Sequence, residues 1–160
     1  MYFMFNFLKK EKYLFSIADG SITNLNTVPD EVFSKKILGD GFAVIPSNGD
    51  FFSPANGTVT DVSDTLHAYC ITSDDGLEIL VHIGLDTVEL KGKGFTPKVK
   101  KGQTVACGDL LAKVDLAVIE ESGHSTISMV VITNTHDLKE LNVLENTSAS
   151  HGEKALSYKI

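Results

Sequence analysis

The sequence predicts an all-β fold, namely an antiparallel β-sandwich or barrel of the barrel-sandwich hybrid type with short helical turns. Three observations support this fold class. Short runs of alternating apolar and polar residues recur along the chain, turn signals rich in Gly, Asp and Asn separate them, and two strand-turn units resemble each other. With 160 residues, the chain is long enough to bury a core within one domain.

The chain begins with the stretch MYFMFNFLKKEKY. Its apolar run is too short to cross a bilayer, and it lacks the basic start and the small-residue cleavage site of a signal peptide. Aromatic residues followed by three lysines suit an anionic membrane surface. We expect residues 1–15 to form an N-terminal tail, either flexible or in weak contact with a membrane, ahead of a single domain over residues 16–160.

A short internal repeat relates residues 16–25, SIADGSITNL, to residues 53–62, SPANGTVTDV. Ser, Ala, Gly and one Thr coincide, and the Asp-Gly of the first segment matches the Asn-Gly of the second. Such pairs supply the positive φ of tight hairpin turns, and the β-branched alternation that follows is typical of strands. The repeat therefore predicts a pseudo-symmetric sandwich or barrel.

Between the repeats, residues 28–52 combine one helical turn with an alternating run. Three apolar residues can share one side of that turn, and the glycines of GDG prevent a longer helix. Farther along, Lys101-Gly102 and Gly108-Asp109 are turn signals that bracket short strands. Residues 134–150 are polar, and THDLKELN is predicted to form a brief helix or a loop.

The stretch DTLHAYCITSDDGLEILVHIGLD, from Asp64 to Asp86, predicts a β-hairpin around SDDG. Strand alternation places one aliphatic set on the core side: Ile79, Val81, Ile83 and Leu85. It places the other set on the opposite side: Leu80, His82, Gly84 and Asp86. His82 is therefore not expected to be buried among its aliphatic neighbours.

The turn of this hairpin decides whether His67 lies near His82. If either Asp75-Gly76 or Asp74-Asp75 is a two-residue turn, the two histidines share a face with their Cβ atoms about 5 to 8 Å apart. A three-residue loop puts them on opposite faces instead. Two of these three simple registers therefore produce a histidine pair, and the sequence leaves the choice open.

Charge and cysteine content narrow the class of protein. The chain has 21 Asp and Glu against 14 Lys and Arg, so we expect no nucleic-acid partner, which would need a basic footprint. Cys70 and Cys107 lack the spacing of a metal or redox motif, which favours a reducing, cytoplasmic compartment. No metal or other cofactor is expected.

A pair of histidines on a sheet face can bind a metal, act as acid and base, carry a phosphoryl group, or have no chemical task. For a metal site, the local spacing lacks a third ligand, although Asp86 is near. No GxSxG elbow indicates serine-type catalysis, and no GxxxxGK[ST] loop indicates ATP-dependent kinase chemistry.

The stretch VHIGLDTVELKGKGF closely resembles the active-site signature of the glucose-family enzyme IIA component of the bacterial phosphoenolpyruvate-dependent sugar phosphotransferase system. The resemblance continues through VPDEVFSKKILGDGFAVIP, PANGTV, TLHAYCI and KKGQTVACGDLLAKVD, and covers nearly the whole chain from about Ile17. It implies an antiparallel β-sandwich and a phosphotransferase that works through phosphohistidine. The implied partners are the phosphocarrier protein HPr, which donates the phosphate, and the IIB domain of a sugar permease, whose cysteine receives it.

The resemblance also implies site residues. His82 corresponds to the phosphoacceptor nucleophile, His67 to the residue that stabilises the phosphoryl group, and Thr65 to the residue that orients His67. Asp30 and Asp86 match acidic residues around the site, where they can receive basic side chains of partners. Docking of two partners calls for an apolar collar around His82, for which the candidates are Val32, Phe33, Ile37, Leu80 and Val88. The remaining histidines match nothing functional and are expected on the surface: His124, His136 and His151.

Three other interpretations are open to test. Lipoyl and biotinyl carrier domains share the KKGQTVACGDLLAKVD pattern, but they need an exposed lysine at a hairpin tip, and neither SDDG nor DTV offers one. A zinc peptidase of sandwich type would use an HxH pair, which does not occur. A regulatory phospho-binding module of the same fold, without a dedicated permease, is the principal alternative, and transfer to a IIB domain would separate it from a phosphoryl carrier.

Overall fold

The computed structural model describes residues 10–160. Within them the chain forms fourteen strands: β1 (Lys12–Phe15), β2 (Gly20–Asn24), β3 (Asp40–Pro46), β4 (Asp50–Phe52), β5 (Gly57–Val62), β6 (Ala68–Ser73), β7 (Glu78–His82), β8 (Phe95–Pro97), β9 (Thr104–Val105), β10 (Leu110–Val114), β11 (Ser128–Ile132), β12 (Glu140–Val143), β13 (Asn146–Ala149) and β14 (Lys154–Lys159). The helices described are α1 (Glu31–Ser34) and α2 (Leu116–Glu121), and 3-10 turns cover Leu25–Thr27, Thr87–Leu90 and Thr135–Asp137.

The strands form three antiparallel sheets around one main core. The largest has eight strands in the order β13-β2-β3-β11-β7-β6-β5-β9, and the other two have the orders β1-β14-β12 and β4-β10-β8. Strand alternation turns every second residue of β6 inward, and the same pattern holds in β5 from Gly57 to Thr60. All three sheets contribute to the core, for example through Leu14, Phe51, Tyr69, Leu111 and Leu156. The predicted all-β antiparallel sandwich is confirmed.

The internal repeat forms two loops of the same local structure. The Ser16 hydroxyl donates to the carbonyl of Ala18 at 2.8 Å, and the Ser53 hydroxyl donates to the carbonyl of Ala55 at 2.7 Å. The loops also exchange backbone hydrogen bonds, Phe15 N–H to Pro54 C=O at 3.1 Å and Phe52 N–H to Ile17 C=O at 2.7 Å. The repeat in the sequence therefore corresponds to a pseudo-symmetric pair of loops that bond to each other.

The turn chemistry predicted for these loops is wrong. Gly20 and Gly57 do not close two-residue hairpins but are the first residues of β2 and β5, and Gly57 has no positive φ. A Cβ on Gly20 would lie 2.0 Å from the carbonyl oxygen of Ile45, and one on Gly57 would lie 2.2 Å from that of Thr72. Both positions need glycine because the neighbouring strand approaches so closely.

The predicted helical turn is α1, and it begins at a capped end. The Asp30 carboxylate accepts a hydrogen bond from Val32 N–H at 2.9 Å, which satisfies one of the free donors of the first turn. The helix ends within four residues, where Lys36 takes a φ of 57° and Gly39 a φ of 141°. The second brief helix expected in the polar C-terminal region is the 3-10 turn Thr135–Asp137.

The tail predicted over residues 1–15 contains part of the fold. Strand β1 pairs with β14, with Lys12 opposite Tyr158. The Lys12 ammonium lies 3.3 Å from the Asp75 carboxylate, to which the Tyr158 hydroxyl donates at 2.6 Å. The folded unit therefore includes Lys12, ahead of the boundary predicted at residue 16. Residues 1–9, on which the predicted membrane contact depends, lie outside the described residues. Across residues 10–160, no helix is long and apolar enough to cross a membrane.

Candidate functional site

The predicted hairpin is formed by β6 and β7, in a register that the two-residue turns do not produce. Ala68 lies opposite His82, and Tyr69 lies opposite Val81. Four residues, 74–77, lie between the two strands, and the Ser73 N–H donates to the carbonyl of Leu77, which closes a three-residue loop over residues 74–76. Both registers predicted to pair the histidines are therefore wrong, and strict alternation in the observed register would separate them.

The two histidines nevertheless meet, because His67 precedes the regular part of β6. A tight turn leads into it, with Leu66 at a φ of 63° and its N–H donating to the Ser63 carbonyl at 2.9 Å. A left-handed residue at this point ends the alternation, so the His67 side chain no longer follows the strand pattern. The ring centroids of His67 and His82 lie 4.8 Å apart, with the ring planes at 80°.

The His82 imidazole is held from two sides. Its Nδ1 lies 2.9 Å from the carbonyl oxygen of Gly84, and the Phe33 ring packs with its centroid 5.1 Å away. A carbonyl can only accept, so Nδ1 carries the hydrogen and Nε2 keeps the free lone pair. The Gly84 carbonyl was not predicted as part of the site, and only the spacing of His and Gly in VHIG could have indicated it.

The aliphatic neighbours of His82 confirm the strand alternation, and they also show a second core. Ile79, Val81 and Ile83 are buried in the main core, as predicted. Leu85 instead joins a separate cluster on the outer side of the eight-stranded sheet. That cluster contains Leu25, Val28, Phe33, Ala43, Leu85, Ile127, Met129 and Val131, with Leu80 packed against it. His82 therefore lies at the edge of a covered region, beside Phe33, rather than on a bare sheet face.

The His67 imidazole is held by side chains. Its Nδ1 lies 2.7 Å from the Thr65 hydroxyl and 3.4 Å from the Ser63 hydroxyl, and the residue is 8% exposed. The structure thus brings together all three residues that the sequence assigned to the chemistry, namely His82, His67 and Thr65. Ser63 was not predicted, and no sequence signal distinguishes it.

Both imidazoles are held neutral at pH 7. Burial, followed by the neighbouring His67, lowers the pKa of His82 to about 4, although the hydrogen bond to Gly84 acts in the opposite direction. Burial also lowers the pKa of His67, and a hydrogen bond with the Thr65 backbone partly offsets this effect. A neutral imidazole with a committed Nδ1 is a nucleophile through Nε2.

The two predicted acidic residues lie within electrostatic reach of His82. The carboxylates of Asp30 and Asp86 both act to raise the pKa of His82, against the larger effects of burial and His67. Asp30 caps α1, and Asp86 precedes the 3-10 turn Thr87–Leu90 in a left-handed conformation with a φ of 57°. The negative charges therefore come from two loops that flank the imidazole pair.

The apolar collar divides into exposed and covered members. Val32, Ile37 and Val88 are 42%, 66% and 51% exposed. Phe33 is 6% exposed, because it packs against His82 and the second core, and Leu80 is partly buried there. Leu38, which is 40% exposed, lies next to Ile37 and was not predicted.

The other histidines each contact an acidic side chain. His124 Nε2 lies 3.2 Å from the carboxylate of Glu89 and its side chain is only 18% exposed, so it is less accessible than the predicted surface position. His136 is largely exposed, and His151 contacts Asp19 and stacks on the Phe52 ring at 3.9 Å. In the part of the chain that the structure describes, no group of three or more His, Cys, Asp or Glu side chains is placed to hold a metal ion.

Together these features define a class of protein. An antiparallel β-sandwich carries two adjoining neutral imidazoles, one with a free Nε2, next to carboxylates and exposed apolar side chains. This arrangement suits nucleophilic chemistry of an imidazole in contact with another macromolecule.

Comparison with known proteins identifies the family. The family model of the phosphoenolpyruvate-dependent sugar phosphotransferase system, EIIA 1, matches residues 12–138. The glucose-specific EIIA component of Buchnera aphidicola is 42% identical, with 90% of this chain and 89% of the relative covered. The structure of glucose permease IIA from Mycoplasma capricolum superposes with a TM-score of 0.87 at 38% identity, over 92% of this chain and 96% of that one. The chain belongs to the EIIA 1 family of the sugar phosphotransferase system.

A further relative is much longer than this chain. The glucose-specific EIICBA component of Streptococcus pneumoniae is 47% identical over 90% of this chain, and the chain spans 20% of the length of that relative. Family membership makes this chain a phosphotransferase-type component with a role in sugar phosphotransfer.

Proposed function

We propose that this protein is a phosphoryl carrier that accepts phosphate on His82 from the phosphocarrier HPr and donates it to the IIB domain of a sugar permease during sugar uptake. The observation that carries the proposal is the pairing of His82 and His67 at 4.8 Å, with the Nδ1 of His82 committed to the Gly84 carbonyl. Membership of the EIIA 1 family supports it independently.

The first transfer step uses the free Nε2 of His82. Its lone pair attacks the phosphorus atom on the phosphohistidine of HPr, a new P–N bond forms, and the bond to the donor imidazole breaks with its electron pair returning to the donor. Because the pKa of His82 is lowered to about 4, the nucleophile needs no prior deprotonation at neutral pH. In the second step a cysteine thiolate of the IIB domain attacks the phosphorus, and the electron pair returns to Nε2.

His67 stabilises the transferring group, and Thr65 orients His67. When the Thr65 hydroxyl donates to Nδ1 over the 2.7 Å between them, Nε2 of His67 carries the hydrogen and can donate to a phosphoryl oxygen. Phosphoryl transfer depends mainly on positioning and on stabilisation of charge on the equatorial oxygens. A donor on a ring whose centroid lies 4.8 Å from that of the nucleophile can supply both.

The surface around the imidazoles suits two successive protein partners. The exposed members of the apolar collar, Val32, Ile37 and Val88, offer apolar contact area to a partner. Asp30 and Asp86 offer negative charge to basic side chains, and such charges act mainly on the rate of encounter. Phe33 is covered, so its contribution is to support the His82 ring rather than to contact a partner.

The names of the relatives support a proposal for the sugar and for the permease partner. Several relatives are named glucose-specific, so we propose that glucose is the transported sugar. In the pneumococcal relative the similar segment belongs to a protein named an EIICBA component, which supports a permease partner for this chain. The proposed reaction places the protein in the cytoplasm, in agreement with the reducing compartment expected from its two unpaired cysteines.

Reconstitution tests the proposal. The protein is incubated with phosphoenolpyruvate, enzyme I and HPr, the modified residue is mapped, and a glucose-permease IIB domain is then added. We expect one acid-labile phosphate on His82 that passes to the IIB cysteine. His82→Ala should abolish phosphate incorporation, whereas His136→Ala, a change at an exposed histidine, should leave phosphate incorporation intact. Uptake on His82 without transfer to any IIB domain would support the regulatory module instead, and full uptake by His82→Ala would refute the proposed nucleophile.

A further inference from the structure

Two buried hydroxyls hold the peptide unit that links Ile83 to Gly84. The Thr87 hydroxyl donates to the carbonyl of Ile83 at 2.6 Å, and the Gly84 N–H donates to the Ser128 hydroxyl at 3.2 Å. Thr87 and Ser128 are both fully buried, so water does not compete for these bonds. One peptide unit therefore has its acceptor and its donor each satisfied by a side chain from a different part of the chain.

The next peptide unit, between Gly84 and Leu85, fixes the His82 ring. Its carbonyl accepts from His82 Nδ1 at 2.9 Å, and its N–H donates to the Ser125 carbonyl at 3.0 Å. The two units are joined at Gly84, which has a φ of 76° and would otherwise rotate easily. The direction of the Gly84 carbonyl therefore depends on how firmly both neighbouring peptide units are held.

The hydroxyl of Ser128 is itself oriented. It donates to the Thr126 carbonyl at 2.9 Å, so its lone pairs are left to face the Gly84 N–H. The Thr87 side chain adds a steric restraint, because a Cβ on Gly84 would lie 2.5 Å from its methyl group. The space beside Gly84 is thus already filled by the residue that holds the preceding carbonyl.

We propose that Thr87 and Ser128 are positioning residues that set the tautomer of His82 by holding the Gly84 carbonyl in place. This inference rests on the proposed phosphoryl carrier function for its catalytic consequence, but its direct physical effect is present in the unphosphorylated protein. A neutral imidazole without such a partner samples both tautomers, and in one of them Nε2 carries the hydrogen and is not nucleophilic. The two hydroxyls therefore keep most of the neutral His82 imidazole in the tautomer that has a free Nε2.

The variants are Thr87→Val, which keeps the shape and removes the hydroxyl, and Ser128→Ala. Thr87→Ser restores the hydroxyl and serves as the conservative rescue. The matched control is Ser16→Ala, because the Ser16 hydroxyl is also fully buried and donates to a backbone carbonyl at 2.8 Å, but in the repeat loop away from the histidines. Each variant is first checked for its fold by thermal unfolding.

Two measurements report on the proposal. The ¹⁵N chemical shifts of His82 in the unphosphorylated protein give the tautomer ratio, and ³¹P spectra after reaction with phosphorylated HPr distinguish the two phosphohistidine isomers. We expect Thr87→Val and Ser128→Ala to lower the fraction with hydrogen on Nδ1 and to slow phosphorylation by about threefold to tenfold, the range expected for one hydrogen bond. Thr87→Ser and Ser16→Ala should keep the parent ratio and rate.

The outcomes separate this inference from the proposed function. An unchanged tautomer ratio in both hydroxyl-deficient variants would overturn the positioning role, even if their stability falls. A changed ratio in a protein that accepts no phosphate from HPr would support the positioning role and refute the carrier function. If one of the two variants does not fold, the other decides the question together with Thr87→Ser.

Discussion

The two histidines of the site are held in different ways, although each is held through Nδ1 and from two residues away. His82 binds the main-chain carbonyl of Gly84, whereas His67 contacts the side-chain hydroxyl of Thr65. A main-chain acceptor is present whatever side chain stands there, but a hydroxyl is lost with one substitution. The direct partner of the proposed nucleophile is therefore a main-chain group, whereas the direct partner of its neighbour is a replaceable side chain.

The two rings also differ in what surrounds them. His82 is supported by the Phe33 ring and influenced by the carboxylates of Asp30 and Asp86, while His67 follows a tight turn at Leu66. The pKa of both groups is lowered by burial, and the neighbouring His67 lowers that of His82 further. Both imidazoles are therefore neutral at pH 7. They differ in their surroundings, which are an aromatic ring and two carboxylates at His82 and a tight turn at His67.

The largest expected effect separates the role of His82 from the role of His67. His82→Ala should abolish phosphate uptake, whereas His67→Gln should still accept phosphate but pass it to the IIB cysteine about 10² to 10⁴ times more slowly, because a positioned donor typically contributes that factor. Rapid-quench measurement of both half-reactions decides this. Equal transfer rates for His67→Gln and the parent protein would remove His67 from the mechanism.

The next effect is on protonation. An NMR titration should give His82 a midpoint near pH 4, because burial and His67 disfavour its cationic form. His67→Gln should raise this midpoint, since it removes a positive charge that forms at low pH. Between about pH 6.5 and pH 4 the unfolded chain binds a proton at His82 that the native state does not, so stability should fall as the pH falls through this range. A midpoint above 6.5 would contradict the burial that the structure shows.

A smaller effect concerns the replaceable hydroxyl. Thr65→Val should slow transfer to the IIB domain by about threefold to tenfold, in line with the loss of one hydrogen bond, while Thr65→Ser should retain most of the rate. Uptake from HPr should change less than transfer. If Thr65→Ser is as slow as Thr65→Val, the methyl group rather than the hydroxyl positions His67.

The smallest expected effect concerns the charges near His82. Replacing both Asp30 and Asp86 with Asn should slow association with HPr severalfold at low salt and weaken its salt dependence. Asn preserves the cap of α1, so stability should change little. The matched control is Asp74→Asn with Glu140→Gln, which removes the same charge elsewhere. Stopped-flow phosphate transfer at two salt concentrations checks this, and equal rates for the two double variants would place docking on another surface.

Local patterns in the sequence predicted the β7 strand and the face of the sheet on which His82 lies, because the period of two residues acts over a few positions. The hairpin register was not predictable in the same way. It depends on a three-residue loop in which Gly76 has a φ of 92° and the Ser73 hydroxyl accepts from the Leu77 N–H. The position of His67 depends on a left-handed Leu66, and leucine carries no signal for that conformation.

Other elements of the fold were not predicted from the sequence, for similar physical reasons. Helix α2 has six residues, which is too short to show helical periodicity. Strands β12 and β13 are half-exposed and polar, so their alternation is weak and their place in the sheets is set by tertiary pairing. Phe33 reads as a surface residue of a short amphipathic turn, but the second core on the outer side of the sheet covers it.

The pairing of β1 with β14 has a consequence for how the domain can be tethered. Lys12 lies opposite Tyr158, and both contact Asp75 in the loop of the β6–β7 hairpin. The imidazole pair occupies the other end of that hairpin, roughly 20 Å away at about 3.3 Å per residue. A linker joined to either strand therefore leaves from a point remote from the imidazole pair, so a neighbouring domain can be attached there, at an effective concentration set by linker length, without obstructing the histidines.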